Sequence, residues 1–445
     1  MRQRSRSLRL LAIFLGLSMV AAACGDDDDT EAGEDDTDTT EADEAGESLA
    51  PEIGDADPQC EGESDGTLTI GGLLPQTGDL SFLGPPEEAG AQMAVDDVNS
   101  AGGVLGADVV WAPGDSGDAD PDVANPTVDS HLSAGADVIL GAAASGISLN
   151  VIDKITGACV IHFSPANTSP QFTDYDDDDL YFRTAPSDIL QGQVLADMMI
   201  EDGVANAAIL ARQDSYGEGL QQFTQIPFED QGGEVVLSQV YDPEASSFEA
   251  EVDAVISEDP DALVMIGFDE SSRIMTSLFE GGFTPEEKQI YLVDGNIGNA
   301  LGENFSEPGT LVGIKGTLPS AELTDDFQNR LLEVDPNLVD FSYSAETYDS
   351  VVITALATII ADTDDPAAVA REINGVTRDG EACETFEDCL ALIEDGQDID
   401  YNGPSGPQDF SQPGEPTAAS FAILSYGDDN QIDDELTEFR QASLG

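Results

Sequence analysis

Short apolar, β-branched runs alternate with amphipathic stretches from Thr67 onward, the pattern of βα units feeding a parallel sheet. The spacing predicts strands over 68–74, 108–112, 137–140 and 160–163, with helices over about 86–99, 121–134 and 146–157. The first helix opens on Pro85 and Pro86 and is followed by Gly102 and Gly103, so both of its ends carry stop signals. A second series repeats the pattern, with strands over 207–210, 234–240, 262–266 and 290–293 and helices near 188–202, 217–231, 246–257 and 271–281. Residues 321–370 read as mainly helical, and 417–425 as a late strand. The expected fold class is therefore α/β, with two doubly wound parallel-sheet lobes.

Composition narrows what such a fold can do. The 445 residues hold 91 Asp or Glu against 14 Lys or Arg, a formal net charge of −77. Phosphate backbones and anionic membrane surfaces repel such a chain, so nucleic acid is excluded as a partner. Arg2, Arg4, Arg6 and Arg9 precede an apolar run over 10–20 that is too short for a permanent membrane span. Ala21, Ala22 and Ala23 then lead into Cys24, and residues 1–23 resemble a bacterial lipoprotein signal with Cys24 as the lipidated residue. An ordinary secretory signal is the alternative. Residues 25–57 contain 16 acidic side chains and no Lys or Arg, and are expected, with Cys24, to form a disordered acidic tether over 24–57. From Pro58 on, 75 acidic face 10 basic residues, a balance of −65 on the folded part itself, which points to a salt-rich habitat.

Cys60, Cys159, Cys383 and Cys389 are an even set in an exported chain. Cys383 with Cys389 is the simplest local bridge and leaves Cys60 with Cys159; free thiols or a zinc site are the alternatives. Familiar catalytic patterns fail. Gly114-Asp115-Ser116-Gly117 is similar to the nucleophile region of trypsin-like proteases, but only His131 and His162 are available, both in the wrong order. His131 is expected on an exposed helix face and His162 in or beside a strand. The run 174–185 places Asp at calcium-loop spacing but lacks the Gly and Glu that such a loop needs. No metal, no cofactor and no enzymatic activity are expected.

The segment IGGLLPQTGDLSFLGPPEEAGAQMAVDDVNSAGGVLG, residues 70–106, resembles the opening of branched-chain amino-acid substrate-binding proteins of ABC transporters. SPANTSP at 164–170, FRTAPSD at 182–188, DSYGEGL at 214–220 and DIDYNGPSGPQDF at 398–410 match in the same order. The resemblance implies a type I periplasmic-binding clamp joined by a three-crossover hinge, with crossings near Ala185, Pro319 and Gln408. Lobe 1 is then 58–185 with 320–408, and lobe 2 is 186–319 with 409–445. It also implies site residues. Ser145 would bind an α-carboxylate together with amides near Ile147 at a helix start, a role compatible with capping that helix. Ala166 and Thr168 would help hold both charged ends, Asp294 would pair with the ammonium, and Tyr216, with Phe82 and Phe268, would form the apolar wall. Ala142, Ala143 and Ala144 would leave room for the side chain.

The expected function is capture of a small amino acid or related amide by a lipid-anchored, extracytoplasmic, monomeric protein that delivers it to an ABC permease and ATPase complex. A ligand sensor of the same fold, signalling to a partner protein, is the alternative.

Overall fold

The computed structural model describes residues 53–118 and 121–444, the side chain of Pro121 apart. The signal, Cys24 and most of the tether lie outside the described residues. Residues 53–57, read as the end of the tether, are tied to the folded body instead. Asp55 pairs with Arg378 at 2.5 Å, the Gly54 carbonyl accepts from Asn374, and Ala56 is buried.

In chain order the first lobe contains β1 (Thr69–Leu73), α1 (Gly84–Ser100), β2 (Val110–Ala112), α2 (Pro121–Ala134), β3 (Val138–Gly141), α3 (Ser145–Thr156), β4 (Ile161–Ser164) and β5 (Tyr181–Arg183). These five strands form one sheet in the order β2-β1-β3-β4-β5, and every pairing is parallel. That order reverses direction between β1 and β3, where an open α/β sheet leaves a crevice at its carboxyl end. The chain then crosses into α4 (Asp188–Glu201), β6 (Asn206–Arg212), α5 (Ser215–Asp230), β7 (Glu234–Tyr241), α6 (Glu249–Glu258), β8 (Ala262–Ile266), α7 (Ser271–Glu280), β9 (Gln289–Leu292), α8 (Asn299–Gly302) and β10 (Lys315–Pro319).

It returns to the first lobe through α9 (Asp325–Val334), α10 (Ser344–Ala361), α11 (Pro366–Val376), β11 (Glu381–Cys383), α12 (Phe386–Glu394), β12 (Ile399–Gly403) and β13 (Gly406–Pro407). It ends in the second lobe with β14 (Ala418–Ser425) and β15 (Glu438–Ser443). The second sheet has the order β15-β14-β10-β9-β8-β6-β7. It is mixed rather than purely parallel, because β14 runs antiparallel to both β10 and β15. Phe410 packs within the first lobe's core beside Phe163, so the last crossing lies past Gln408, in the segment that carries Glu415.

Two helix pairs approach at backbone contact. A Cβ on Gly90 of α1 would lie 2.2 Å from the Ser344 carbonyl oxygen of α10, and one on Gly192 of α4 would lie 2.2 Å from the Phe223 carbonyl of α5. Only glycine permits either approach. The crossings are locked by Arg183, fully buried at the end of β5. Its guanidinium pairs with Glu415, with Nε at 2.9 Å, and donates to the carbonyls of Asn167 and Ser169. One cation thus ties the first crossover, the loop after β4 and the last crossover.

His131 is buried, not exposed. Its Nε2 lies 2.9 Å from the Gly72 carbonyl, and the absence of a side chain at Gly71 and Gly114 makes room for the ring. His162 lies within β4, and burial lowers its pKa to about 4. Asp178 and Asp179, from the acidic run, accept backbone amides of Gln59 and Asp57. Of the ten basic side chains after residue 57, nine are ion-paired with a carboxylate; Arg273 instead lies 5.0 Å over the Phe248 ring. Among the described residues no helix is long and apolar enough to cross a membrane.

Both disulfides form, Cys60–Cys159 and Cys383–Cys389, with sequence separations of 99 and 6. Loop-closure entropy then assigns about 4.7 kcal/mol to the long loop and about 2 kcal/mol to the short one. Replacing Cys60 and Cys159 with Ser should lower unfolding free energy more than replacing Cys383 and Cys389. Denaturant titration of the two double variants checks this, and the reverse order would contradict it.

Burial raises the carboxyls of Asp137, Asp177 and Asp349 to about 7 and that of Glu346 to about 8. The folded state therefore holds protons that the unfolded chain has released above about pH 4. Stability from these groups is complete below that pH and is lost as pH rises to about 8. His162 acts oppositely, but only between about pH 6.5 and 4. Urea midpoints at fixed salt should fall between pH 6.5 and 8.5; a rise over that interval would refute the account.

Candidate functional site

The carboxyl ends of both sheets face one another, and the loops that leave them meet around a cavity. From lobe 1 come Leu80 and Leu83 after β1, Ala143, Ala144 and Ser145 after β3, Ala166 after β4, and Tyr343, the residue before α10. From lobe 2 come Tyr216 at the start of α5, Phe268 after β8, and Asp294 and Gly295 after β9. Only about 10 Å³ there is open to the centre of a water molecule, room for roughly one water, so the lobes are drawn down on the site and a ligand enters only when they part. A groove of about 520 Å³ on lobe 1, bordered by Arg330 and Tyr348, is larger, but it is open to solvent and Arg330 is already paired with Asp97. The smaller cavity is the stronger candidate because polar groups from both lobes converge on it.

Asp294 is the only acidic residue lining that cavity among the described residues. Its Oδ1 accepts from Tyr216 Oη at 2.8 Å and Gln191 Nε2 at 2.9 Å, and its Oδ2 accepts from Tyr343 Oη at 2.8 Å. Burial raises its pKa, while these three hydrogen bonds pull it back toward the charged form. Both tyrosines have pKa values pushed upward, by burial first and by the Asp294 charge second, so they stay protonated donors. Asp188, at the start of α4, is raised well above the carboxylate range by burial and then by Asp294. An acidic lobe-2 face with no cation lining it favours a positively charged ligand group.

The opposite wall is built around the start of α3. Ala144 is its N-cap residue and offers no side-chain cap, so Ser145 is the first helical residue rather than the cap. Ser145 Oγ accepts from the Ser169 amide at 3.3 Å. The Ile147 amide is not a free donor, since it bonds the Ala144 carbonyl at 3.1 Å. The amides of Ser145 and Gly146, in the first turn, suit an anion better. Ser164 Oγ and Asn167 Nδ2 both donate to the Ala142 carbonyl, which fixes the small-residue loop before them.

Aromatic packing makes the remaining wall. Tyr216 and Phe268 stack with centroids 5.6 Å apart, and the Arg212 guanidinium lies 3.4 Å over the other ring partner, Phe268. Arg212 is held by Asp214 and Glu270, so Phe268 is pressed from behind by a fixed cation.

Of the residues expected from sequence, the structure brings Ser145, Ala166, Tyr216, Phe268 and Asp294 to one cavity. Phe82 does not line it and packs half-buried against the core, next to Leu83, which does. Thr168 is also absent from the lining. Its hydroxyl is buried beside Asp188, close enough to favour that carboxylate's charged form but without a well-formed hydrogen bond. Ala142 is core, while Ala143 and Ala144 line the cavity. Sequence reasoning missed Tyr343 and Gln191. Gln191 could have been noticed as the helical neighbour of Asp188 one turn on, whereas Tyr343 has no local signal.

Comparison with known proteins identifies the family and the fold. The chemotactic signal transduction substrate-binding protein BasB of Halobacterium salinarum is 26% identical over 78% of this chain and 84% of its own length. The branched-chain amino acid transporter substrate-binding protein LivJ of Streptococcus pneumoniae, solved with isoleucine, superposes with a TM-score of 0.69 at 19% identity, over 84% of this chain and 99% of that one. A solute-binding protein from R. palustris, solved with 4-hydroxybenzoate, gives 0.69 at 14% identity over 85% of this chain and 98% of that one. These last two likenesses establish the fold alone. The family model described as "Periplasmic binding protein" matches residues 67–420. The chain belongs to the periplasmic binding protein family, with the type I fold shared by Leu/Ile/Val-binding proteins of ABC transporters.

Proposed function

We propose that the chain is the extracytoplasmic solute-binding component of an ABC importer, capturing a small amino acid of branched-chain type, or a related amide, for a permease and ATPase complex. The observation that carries this is the pairing of Asp294, held by Tyr216, Tyr343 and Gln191, with the first-turn amides and hydroxyl of α3 across one small apolar cavity. A zwitterion carries one charge of each sign, complementary to these two ends of the cavity. Leu80, Leu83 and Phe268 offer that side chain apolar contact, and no group in the cavity is arranged for covalent chemistry.

In this reading the clamp is made of 58–185 with the segment from 320 to past Phe410, and of 186–319 with the remaining C-terminal residues, Cys24 carries a lipid anchor, and the binding unit is a monomer. Thr168 acts through Asp188 rather than on the ligand. Closure follows from contacts that a ligand makes with both lobes at once, which favour the closed state by their differential affinity. The BasB relative gives a specific reason for a second reading, ligand sensing through a partner protein. Neighbouring permease and ATPase genes would favour transport, and a neighbouring transducer would favour sensing.

A thermal-shift screen over amino acids, amides and aromatic acids tests the ligand class. A true ligand at a hundred times its dissociation constant should add about 2.7 kcal/mol of stability. A response confined to non-amino-acids would overturn the zwitterion reading. Calorimetry with the best amino acid should then show Asp294→Asn binding about thirtyfold or more weakly, because a buried ammonium loses its charged partner, worth roughly 2 to 4 kcal/mol. Unchanged affinity would remove Asp294 from the site.

The balance of −65 after residue 57, with nearly all cations already paired, supports a salt-rich habitat. Screening at near-molar salt shortens the reach of the repulsion to about 3 Å. Melting temperature should rise as NaCl goes from 0.1 M to near-molar; a fall would count against a saline setting.

A further inference from the structure

Tyr216 and Tyr343 make equal hydrogen bonds to Asp294, each 2.8 Å, yet they differ in one respect. Tyr216 belongs to the same lobe as Asp294, whereas Tyr343 reaches it from the other lobe. Tyr343 also holds a left-handed backbone, φ 58° and ψ 7°, which a bulky aromatic residue adopts only where its surroundings enforce it.

Just upstream, the same lobe-1 segment grips the second lobe again. The Asp340 carboxylate accepts the amides of Asn299 and Ala300, each at 3.0 Å, and Asn299 Nδ2 donates to the Val339 carbonyl at 3.0 Å. Asn299 is itself anchored in lobe 2, where its Oδ1 accepts from the Ile432 amide at 2.7 Å. Four hydrogen bonds therefore cross the cleft from five consecutive residues. All are between protein groups, so they favour closure whatever the cavity holds.

We propose that residues 339–343 are a strap that closes the cleft by protein–protein hydrogen bonds, with Tyr343 as its end at the binding cavity and Asp340 as its outer grip. Tyr343 is then a positioning residue with two tasks: it orients Asp294, and it sets how much of the protein is already closed before a ligand arrives. The inference needs the two lobes but no particular ligand.

Small-angle scattering of the purified, ligand-free full chain at one fixed salt concentration tests it, with circular dichroism reporting that each variant is folded. Wild type should have the compact radius of gyration of the closed form. Tyr343→Phe and Asp340→Asn should each shift the open-to-closed ratio by roughly tenfold or more, as expected for losing a hydrogen bond to a charged group. The double variant should be the most open. Tyr216→Phe removes an equal bond to Asp294 from within one lobe and should keep the wild-type radius. A wild type as extended as the double variant, an unchanged radius in the double variant, or opening by Tyr216→Phe as large as by Tyr343→Phe would each overturn the strap.

Discussion

A carboxylate cannot be buried between two lobes unless each of its oxygens finds a donor, and Asp294 finds three. All three are neutral, so none cancels the charge of the ionised acid, and they oppose the rise in its pKa that burial causes. Because one donor comes from the far lobe, satisfying this single group also constrains how the lobes sit. In the proposed reading the acid is a ligand group as well as a structural joint, and the tyrosines are kept protonated by burial, which also raises Asp294 itself.

A second buried charge governs the hinge. Arg183 and Glu415 are both shielded from water, and the guanidinium spends its other donors on the carbonyls of Asn167 and Ser169. Removing either partner would strand an uncompensated charge, so the pair acts as a pin rather than as a source of net stability. The pin joins the first and last crossovers to the loop after β4, whereas the bonds of Asp340 and Tyr343 join the segment before α10 to α8 and Asp294. The two sets share no group, so motion between the lobes can break the second while leaving the pin intact, which is the mechanical requirement for a clamp.

What could be read from sequence was what repeats locally. Apolar runs such as 262–266 are strands because a buried parallel sheet needs continuous β-branched and aliphatic surface, and β8 occupies those residues. Strands that escaped reading lack that run: β5 is three residues ending in an arginine, and β15 mixes Glu, Arg, Gln and Ser at a sheet edge. The burial of His131 depends on glycines at two distant positions, and the hold on residues 53–57 depends on Arg378, more than 300 positions away. Likewise Asp294 was legible from its place after a strand, but Tyr343 was not. Nothing around it marks a left-handed tyrosine, and its partner is 49 residues upstream.

Charge excess sharpens this point. With 75 acids after residue 57 and only 10 cations, residue type cannot identify a binding acid. Asp202, Asp97 and Asp259 each take one of the few cations and stand at or near the surface, where such pairs contribute little. Asp294 takes none of them and is satisfied by hydroxyl and amide groups alone. Burial without a cation is shared by Glu87, Glu346 and Asp349, which burial pushes toward their neutral forms; what sets Asp294 apart is that it lines the cavity and takes three side-chain donors. The same test applied to Asp188 gives a different result. It too is buried without a cation in contact, yet it does not line the cavity, and burial together with the Asp294 charge pushes it toward its neutral form. Two neighbouring buried acids are tolerable because only one of them needs to stay charged.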